Sequence, residues 1–187
     1  MIATWRPGPG LDRKQGESWG QVIIDAIKAG TGPVIPGYIY RDLKPDQAGS
    51  ILDFGCGVGA MDGALHVQAL KALGYEVYGY DFDPGPGTRA DTYAWLVDKG
   101  LLDPKALTYA YDIVMANNII NVQPSGDALA ATLRDLRRAM DQKSSLILNL
   151  PSSPKGLWDN NAQLEDWLKE KFRTVESVEA GIWVCKK

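Results

Sequence analysis

Histidine and cysteine are nearly missing from this chain: one histidine, His66, and two cysteines, Cys56 and Cys185, in 187 residues. Without a His or Cys cluster no zinc site is expected. Two cysteines so far apart resemble reduced core thiols of an intracellular protein, not a disulfide scaffold. No apolar run approaches the roughly 20 residues that span a bilayer. The N-terminus, Met1-Ile-Ala-Thr-Trp-Arg-Pro-Gly, lacks a basic head, an apolar stretch and a small-residue cleavage site, so a cytoplasmic location is expected. A basic excess is also lacking: 20 Lys and Arg against 23 Asp and Glu leave a net charge of −3. No large positive field steers the chain to nucleic acid. The basic run Arg134–Arg138 is interleaved with Asp135 and reads as a solvated helix face.

What is present is ordinary globular material, 45% hydrophobic and 23% charged, which argues against disorder. At about 150 residues per domain, the length suits one domain with a short appendage. Residues 1–17 are rich in Gly, Pro and charge and read as an irregular arm. Ser18 is placed to cap a helix through about Ala29, closed by Gly30. Gly32 to Asp46 is too punctuated to be one regular element. From residue 50 onward short apolar runs alternate with helical periodicity, the mark of βαβ units. The expected strands are Ser50–Phe54, Glu76–Tyr80, Ala106–Ala110, Tyr111–Ala116 and Ser145–Leu150, then a hairpin of Arg173–Glu179 and Ile182–Lys186 about Ala180-Gly181. Helices are expected at Ala60–Leu73, Asp91–Lys99, Asp127–Met140 and Asn160–Lys171. The fold class is therefore α/β: a Rossmann-like open sheet of seven mostly parallel strands, with an antiparallel C-terminal hairpin strand and helices on both faces. Residues 1–47 form an arm and helix, either a lid or a brace, and residues 48–187 the main domain.

The most informative segment is Ile51-Leu52-Asp53-Phe54-Gly55-Cys56-Gly57-Val58-Gly59, which leaves a strand and opens a helix. Glycines there turn the backbone tightly and let a ligand reach the amides at the helix start. Asp81 ends the next strand, at about the 20-residue interval where an acid meets a ribose hydroxyl pair. Gly55, Gly57 and Ala60 also fit the dinucleotide fingerprint. Asp53 discriminates: its carboxylate would repel a pyrophosphate, whereas it would attract the ammonium and sulfonium of S-adenosylmethionine.

On these residues, DFGCGVG after the first strand, YGYD at the end of the second and YDIVMANNIINV at the fourth, the chain resembles class I S-adenosylmethionine-dependent methyltransferases. More narrowly it is similar to small bacterial and phage methyltransferase-like proteins of unassigned substrate. The resemblance covers about residues 48–187 and implies S-adenosylmethionine as cofactor. It implies that Asp53 faces the methionine ammonium and that Gly55, Cys56, Gly57 and Gly59 line the methionyl and ribose portion. Asp81 would take the ribose hydroxyls and Phe82 would stack on adenine. The polar residue that the family commonly carries after the third strand has no clear counterpart in Ala106–Ala110.

Ligands of open α/β sheets bind beyond the carboxyl ends of the strands, so Ala116–Pro124 should face the acceptor. The Asp/Asn-Pro-Pro-aromatic motif of amino-directed DNA methyltransferases is not found there; Asn149-Leu150-Pro151-Ser152 is a partial look-alike after the fifth strand. Cytosine C5 chemistry needs a nucleophilic cysteine after the fourth strand, and neither cysteine is there. Asn117 and Asn118 are the candidate catalytic residues, orienting an acceptor through their amides, with Asn117 also bordering the cofactor. Asn121 and Asp83 read as structural, and His66, mid-helix, as packed or exposed. The function read from the sequence is in-line methyl transfer to a small molecule, a nucleotide or a partner-presented acceptor. The alternatives are a catalytically silent binding subunit on this fold and a nonmethylating enzyme that uses the same cofactor.

Overall fold

Strands that are apolar on both faces need cover on both, and Ile51, Leu52 and Phe54 leave no face for water. The computed structural model describes residues 18–58, 63–87, 89–150 and 157–187 and provides that cover. Its strands are β1 (Ser50–Phe54), β2 (Glu76–Tyr80), β3 (Tyr111–Ala116), β4 (Met140–Asn149), β5 (Thr174–Glu179) and β6 (Ile182–Lys186). They form one sheet in the order β2-β1-β3-β4-β6-β5. The first four run parallel, while β6 is antiparallel to both β4 and β5.

The helices are α1 (Trp19–Ala29), α2 (Val34–Asp42), α3 (Pro45–Ala48), α4 (Leu65–Ala72), α5 (Ala90–Asp98), α6 (Gly126–Arg138) and α7 (Asn161–Lys171). Ser18 caps α1 by accepting from the Gln21 amide, and Gly30 ends it in the left-handed conformation. Ser125 and Asn160 cap α6 and α7 in the same way. One face of the sheet buries Leu52, Phe54, Val114, Leu146 and Leu148 with residues of α6 and α7. The other buries Ile51, Ile113, Met115 and Ile147 with residues of α2, α4 and α5. Helix α1 packs outside α4 through Ile23, Ile27 and Ala69. No described helix is long and apolar enough to cross a membrane.

The sheet has six strands among the described residues, not seven. Ala106–Thr108 is a 3-10 turn and does not pair. The cause is local: the Asp103 side chain accepts from the Lys105 amide and starts a turn, while the Asp103 amide donates to Gly79. Two other boundaries differ. Helix α4 starts at Leu65, because Ala64 is left-handed (φ 53) and gives its amide to the Gly57 carbonyl. The first part of the expected Ala60–Leu73 helix lies outside the described residues. Met140 does not end α6 but opens β4, where it pairs with Tyr111. The punctuated segment before residue 46 carries α2 and the start of α3; Pro36 sits in the first turn of α2, where a missing amide costs nothing.

Between β1 and β3 the chain reverses its direction of travel across the sheet, β2 lying to one side and β3 to the other. A crevice at such a switch point is where open α/β sheets take ligands.

Candidate active site

The glycine turn is tied to β2 by its backbone. The amides of Gly55 and Cys56 both donate to the Tyr80 carbonyl, at 2.7 and 3.0 Å. Gly55 (φ 76) and Gly57 (φ 88) occupy the left-handed region that this reversal requires. A side chain at Gly55 would also collide with Ile119, so the turn touches the segment that leaves β3. Asp81, just past β2, clamps the turn: one carboxylate oxygen accepts from the Gly57 amide and the other from the Phe82 amide, each at 2.8 Å. Burial raises the Asp81 pKa, opposed by these amides, that of Val58 and the charge of Arg89.

Asp53 lies on β1 on the same face as Ile51, the face that α4 covers. It is 1% exposed, and its Oδ2 has no hydrogen-bond partner. Burial, and secondarily the charge of Asp81, push its pKa up to about 8. His66 of α4 places Nδ1 3.8 Å from that oxygen. Burial holds the His66 imidazole down, at about 4. Near neutrality the two therefore face each other as a protonated carboxyl and a neutral imidazole.

The segment after β3 supplies amides. Asn117 is buried and its Oδ1 has no hydrogen-bond partner. Asn118 is left-handed (φ 58), a conformation Asn tolerates better than most residues. Asn149, at the end of the neighbouring strand β4, holds it there. The Asn118 amide donates to Asn149 Oδ1 at 2.7 Å, and Asn149 Nδ2 donates to Asn118 Oδ1 at 2.9 Å.

Of the residues singled out from sequence, Asp53, Gly55, Gly57, Asp81, Asn117 and Asn118 all lie at or beyond the carboxyl ends of β1, β2 and β3. Phe82 is 53% exposed, resting edge-on against Phe54 and Tyr80. Cys56 differs: its side chain is in the core, where a Cβ on Gly79 would come 3.0 Å from its sulfur. Its thiol pKa is raised well above the ordinary value by burial and then by Asp53 and Asp81. Gly59 lies outside the described residues. Two participants were not singled out as functional, His66 and Asn149. His66 stands three and four residues before buried Ala69 and Leu70, a spacing that signals the inward face of α4. Asn149 had no such signal, since its partner is on another strand.

The family of methyltransferase domains matches residues 38–178. The chain belongs to that family. It is a class I S-adenosylmethionine-dependent methyltransferase. No curated protein matches the sequence. Among solved structures, an O-methyltransferase family protein from Burkholderia thailandensis superposes with a TM-score of 0.58 at 11% identity, over 90% of this chain. This chain spans 59% of that protein's length. Magnesium protoporphyrin IX methyltransferase from Synechocystis, with bound SAH, gives 0.54 at 17% identity, over 90% of this chain and 84% of the other. The 1,6-didemethyltoxoflavin-N1-methyltransferase of Burkholderia thailandensis, bound to 1,6-didemethyltoxoflavin and S-adenosylhomocysteine, gives 0.52 at 14%, over 86% and 76%. At these identities the likeness is one of fold.

The residues of this methyltransferase fit its cofactor. Asp53 Oδ2 and Asn117 Oδ1 are buried acceptors without partners, such as a cationic amine satisfies. A Cβ on Gly57 would meet nothing within 4 Å, so the turn is open on that side.

Proposed function

We propose that this methyltransferase transfers the methyl group of S-adenosylmethionine to a small-molecule or nucleotide acceptor, free or presented by a partner, at the carboxyl ends of β1 and β3. The observation that carries the reading is the pair of orphaned acceptors, Asp53 Oδ2 and Asn117 Oδ1, beside the glycine turn. Asp53 and Asn117 receive the methionine ammonium. Asp81 has lone pairs left after accepting two amides and takes the ribose hydroxyls. Gly57 lets the backbone approach the ligand, Gly55 lets Ile119 close on the turn, Cys56 contributes through its backbone, and the exposed ring of Phe82 gives adenine a stacking surface; Gly59, expected beside them, lies outside the described residues. When bound, S-adenosylmethionine supplies an electrophilic methyl on a sulfonium. The chain supplies orientation and exclusion of water, which for an in-line displacement carries much of the rate.

On the acceptor side, Asn118 has one oxygen committed to Asn149, so its role is to fix the exit of β3, and Asn117 keeps the freer amide. His66 is not a base for the acceptor, because it faces Asp53 inside the fold. Both magnesium protoporphyrin IX and 1,6-didemethyltoxoflavin, the compounds in the names of two proteins of this fold, are small molecules, which supports that acceptor class. Two buried free thiols suit a cytoplasmic setting. Residues 18–47 brace α4 and the sheet through α1 and α2. The arm before them, read from the sequence as lid or brace, lies outside the described residues.

The test is thermal melting with S-adenosylhomocysteine and with NAD, followed by transfer of labelled methyl to a panel of small amines, phenols and nucleotides. Stabilisation by S-adenosylhomocysteine alone, with label moved to an acceptor, is expected. Stabilisation by NAD alone overturns the reading. Binding without transfer to any acceptor class favours the silent subunit.

A further inference from the structure

We propose that His66 is a positioning residue for the cofactor, acting through Asp53 so that capture of the cofactor's ammonium group releases one proton from the Asp53 carboxyl. The inference rests on the cofactor reading above and goes further, because it assigns a role to a side chain outside the ligand's reach and a stoichiometry to binding.

The geometry begins with what surrounds Asp53. From its own strand and turn the neighbouring titratable group is the Cys56 thiol, which burial keeps neutral. From the end of β2 comes Asp81, a like charge whose own cationic neighbour is Arg89. From α4 comes His66. Among the described residues no cation acts on Asp53 to keep it ionised. A carboxyl so enclosed holds its proton until a cation arrives, and the cation the site lacks is the one the ligand brings.

His66 serves both states. With Asp53 protonated, the carboxyl O–H can donate to an imidazole Nδ1 lone pair, the imidazole proton residing on Nε2. With Asp53 ionised, the other tautomer donates Nδ1–H to the carboxylate. The 3.8 Å separation needs only a small closure for either hydrogen bond. The step balances simply. The carboxyl O–H bond breaks, the proton goes to solvent, and the carboxylate pairs with the incoming ammonium. His66 keeps one proton throughout and changes only which nitrogen carries it.

The experiment is calorimetric titration of the full chain with S-adenosylhomocysteine at pH 6 to 8, in buffers of different ionisation enthalpy. With Asp53 titrating at about 8, affinity should fall about 50-fold from pH 8 to pH 6, with close to one proton released per ligand at pH 6.5. 5′-Methylthioadenosine lacks the ammonium and should bind with nearly pH-independent affinity. His66→Leu should weaken S-adenosylhomocysteine about tenfold at pH 8, the loss of one hydrogen bond to a charged group, and leave 5′-methylthioadenosine unchanged. His66→Asn, with an amide donor near the Nδ1 position, should restore most of the loss. If His66→Leu does not fold, His66→Gln, whose amide matches the Nε2 and not the Nδ1 position, takes its place in the same comparison. PH-independent S-adenosylhomocysteine binding without proton release overturns the coupling. Equal losses for both ligands in His66→Leu overturn the positioning role. If neither ligand binds wild type at any pH, the cofactor reading is what fails, and this inference falls with it.

Discussion

Replacing Asp81 by alanine tests the clamp and the cofactor contact together, and the structure separates the two. In the free protein Asp81→Ala strands two amides, those of Gly57 and Phe82, each now 2.8 Å from a carboxylate oxygen. An unsatisfied donor costs about 1–3 kcal/mol, and both amides are only part-buried, so the low end applies to each, about 2 kcal/mol in all. Part of this is returned, because burial raises the Asp81 pKa and the charged form is held at some expense. A net loss of about 1–2 kcal/mol remains. For a chain of this size that lowers the melting temperature by about 2–8 °C. A strand-end carboxylate read from sequence alone contributes little to stability; the two backbone hydrogen bonds change that expectation.

In the bound protein the carboxylate also holds ribose, and its loss should weaken S-adenosylhomocysteine by about 1.5–3 kcal/mol, or about 10- to 150-fold. Asp81→Asn keeps one oxygen and should recover part of the melting temperature but little of the affinity. The assays are a melt without ligand and a calorimetric titration on the folded fraction. An unchanged melting temperature in Asp81→Ala refutes the clamp. Affinity within twofold of wild type refutes the ribose contact.

The pH dependence of stability has a sign set by two buried groups. Asp53, raised to about 8, keeps a proton that the unfolded chain loses, so stability falls with rising pH from the ordinary carboxyl range up to about 8, by at most about 1.4 kcal/mol per unit. His66, lowered to about 4, does the opposite between about 4 and 6.5. Above 6.5 His66 no longer contributes and the fall from Asp53 remains, with Asp81, also raised by burial, acting in the same sense. The cofactor-free melting temperature should drop from pH 6.5 to 8 and flatten in Asp53→Asn; a rising limb in wild type contradicts a protonated Asp53. Gly57→Ala has room for its Cβ but a φ of 88, so it should cost about 1 kcal/mol of stability while abolishing cofactor binding. Gly79→Ala would drive its Cβ into the Leu101 carbonyl and should lose more stability than Gly57→Ala, with the order read from denaturant midpoints. Asn149→Ala strands the part-buried Asn118 amide and should cost about 1–3 kcal/mol of stability; no loss would show that Asn149 is dispensable to the exit of β3.

Local signals were legible in the sequence and non-local ones were not. Ser18, Gly30 and the Ala180-Gly181 turn announce their elements through side chains or backbone freedom that act within a few residues. The glycine turn and the position of Asp81 were legible for the same reason, each standing at its own strand end; the hydrogen bonds that tie the turn to Tyr80 and Asp81 were not. The start of β4 was not, because Asp141, Gln142 and Lys143 are exposed and polar and lie in a register shift between the Met140–Tyr111 and Ser145–Ile113 pairs that bracket them. Ala106–Thr108 misled in the other direction: a short mildly apolar run between loops reads as a strand until Asp103 is seen to turn the chain. The pairs Asp53–His66 and Asn118–Asn149 join different elements. Each partner alone is unremarkable, and only the packing of α4 on β1 and of β4 on β3 gives either pair a meaning.

Those pairings also explain why an energetically unfavourable arrangement sits at this one edge. A fold selected for stability alone would replace Asp53 by an apolar residue, since its Oδ2 is buried without a hydrogen bond, and would give Asn117 a partner. The unpartnered oxygens of Asp53 and Asn117 sit at the switch point of the sheet, beside a turn that Asp81 clamps. A ligand that brings donors and a positive charge recovers the cost on binding, so the same atoms that weaken the free protein strengthen the complex. A pyrophosphate brings acceptors and negative charge to the same atoms and recovers nothing. Discrimination between the two cofactor classes therefore rests on a negative charge that Asp53 takes on only when a cation meets it, and on an Asn117 oxygen that accepts a donor.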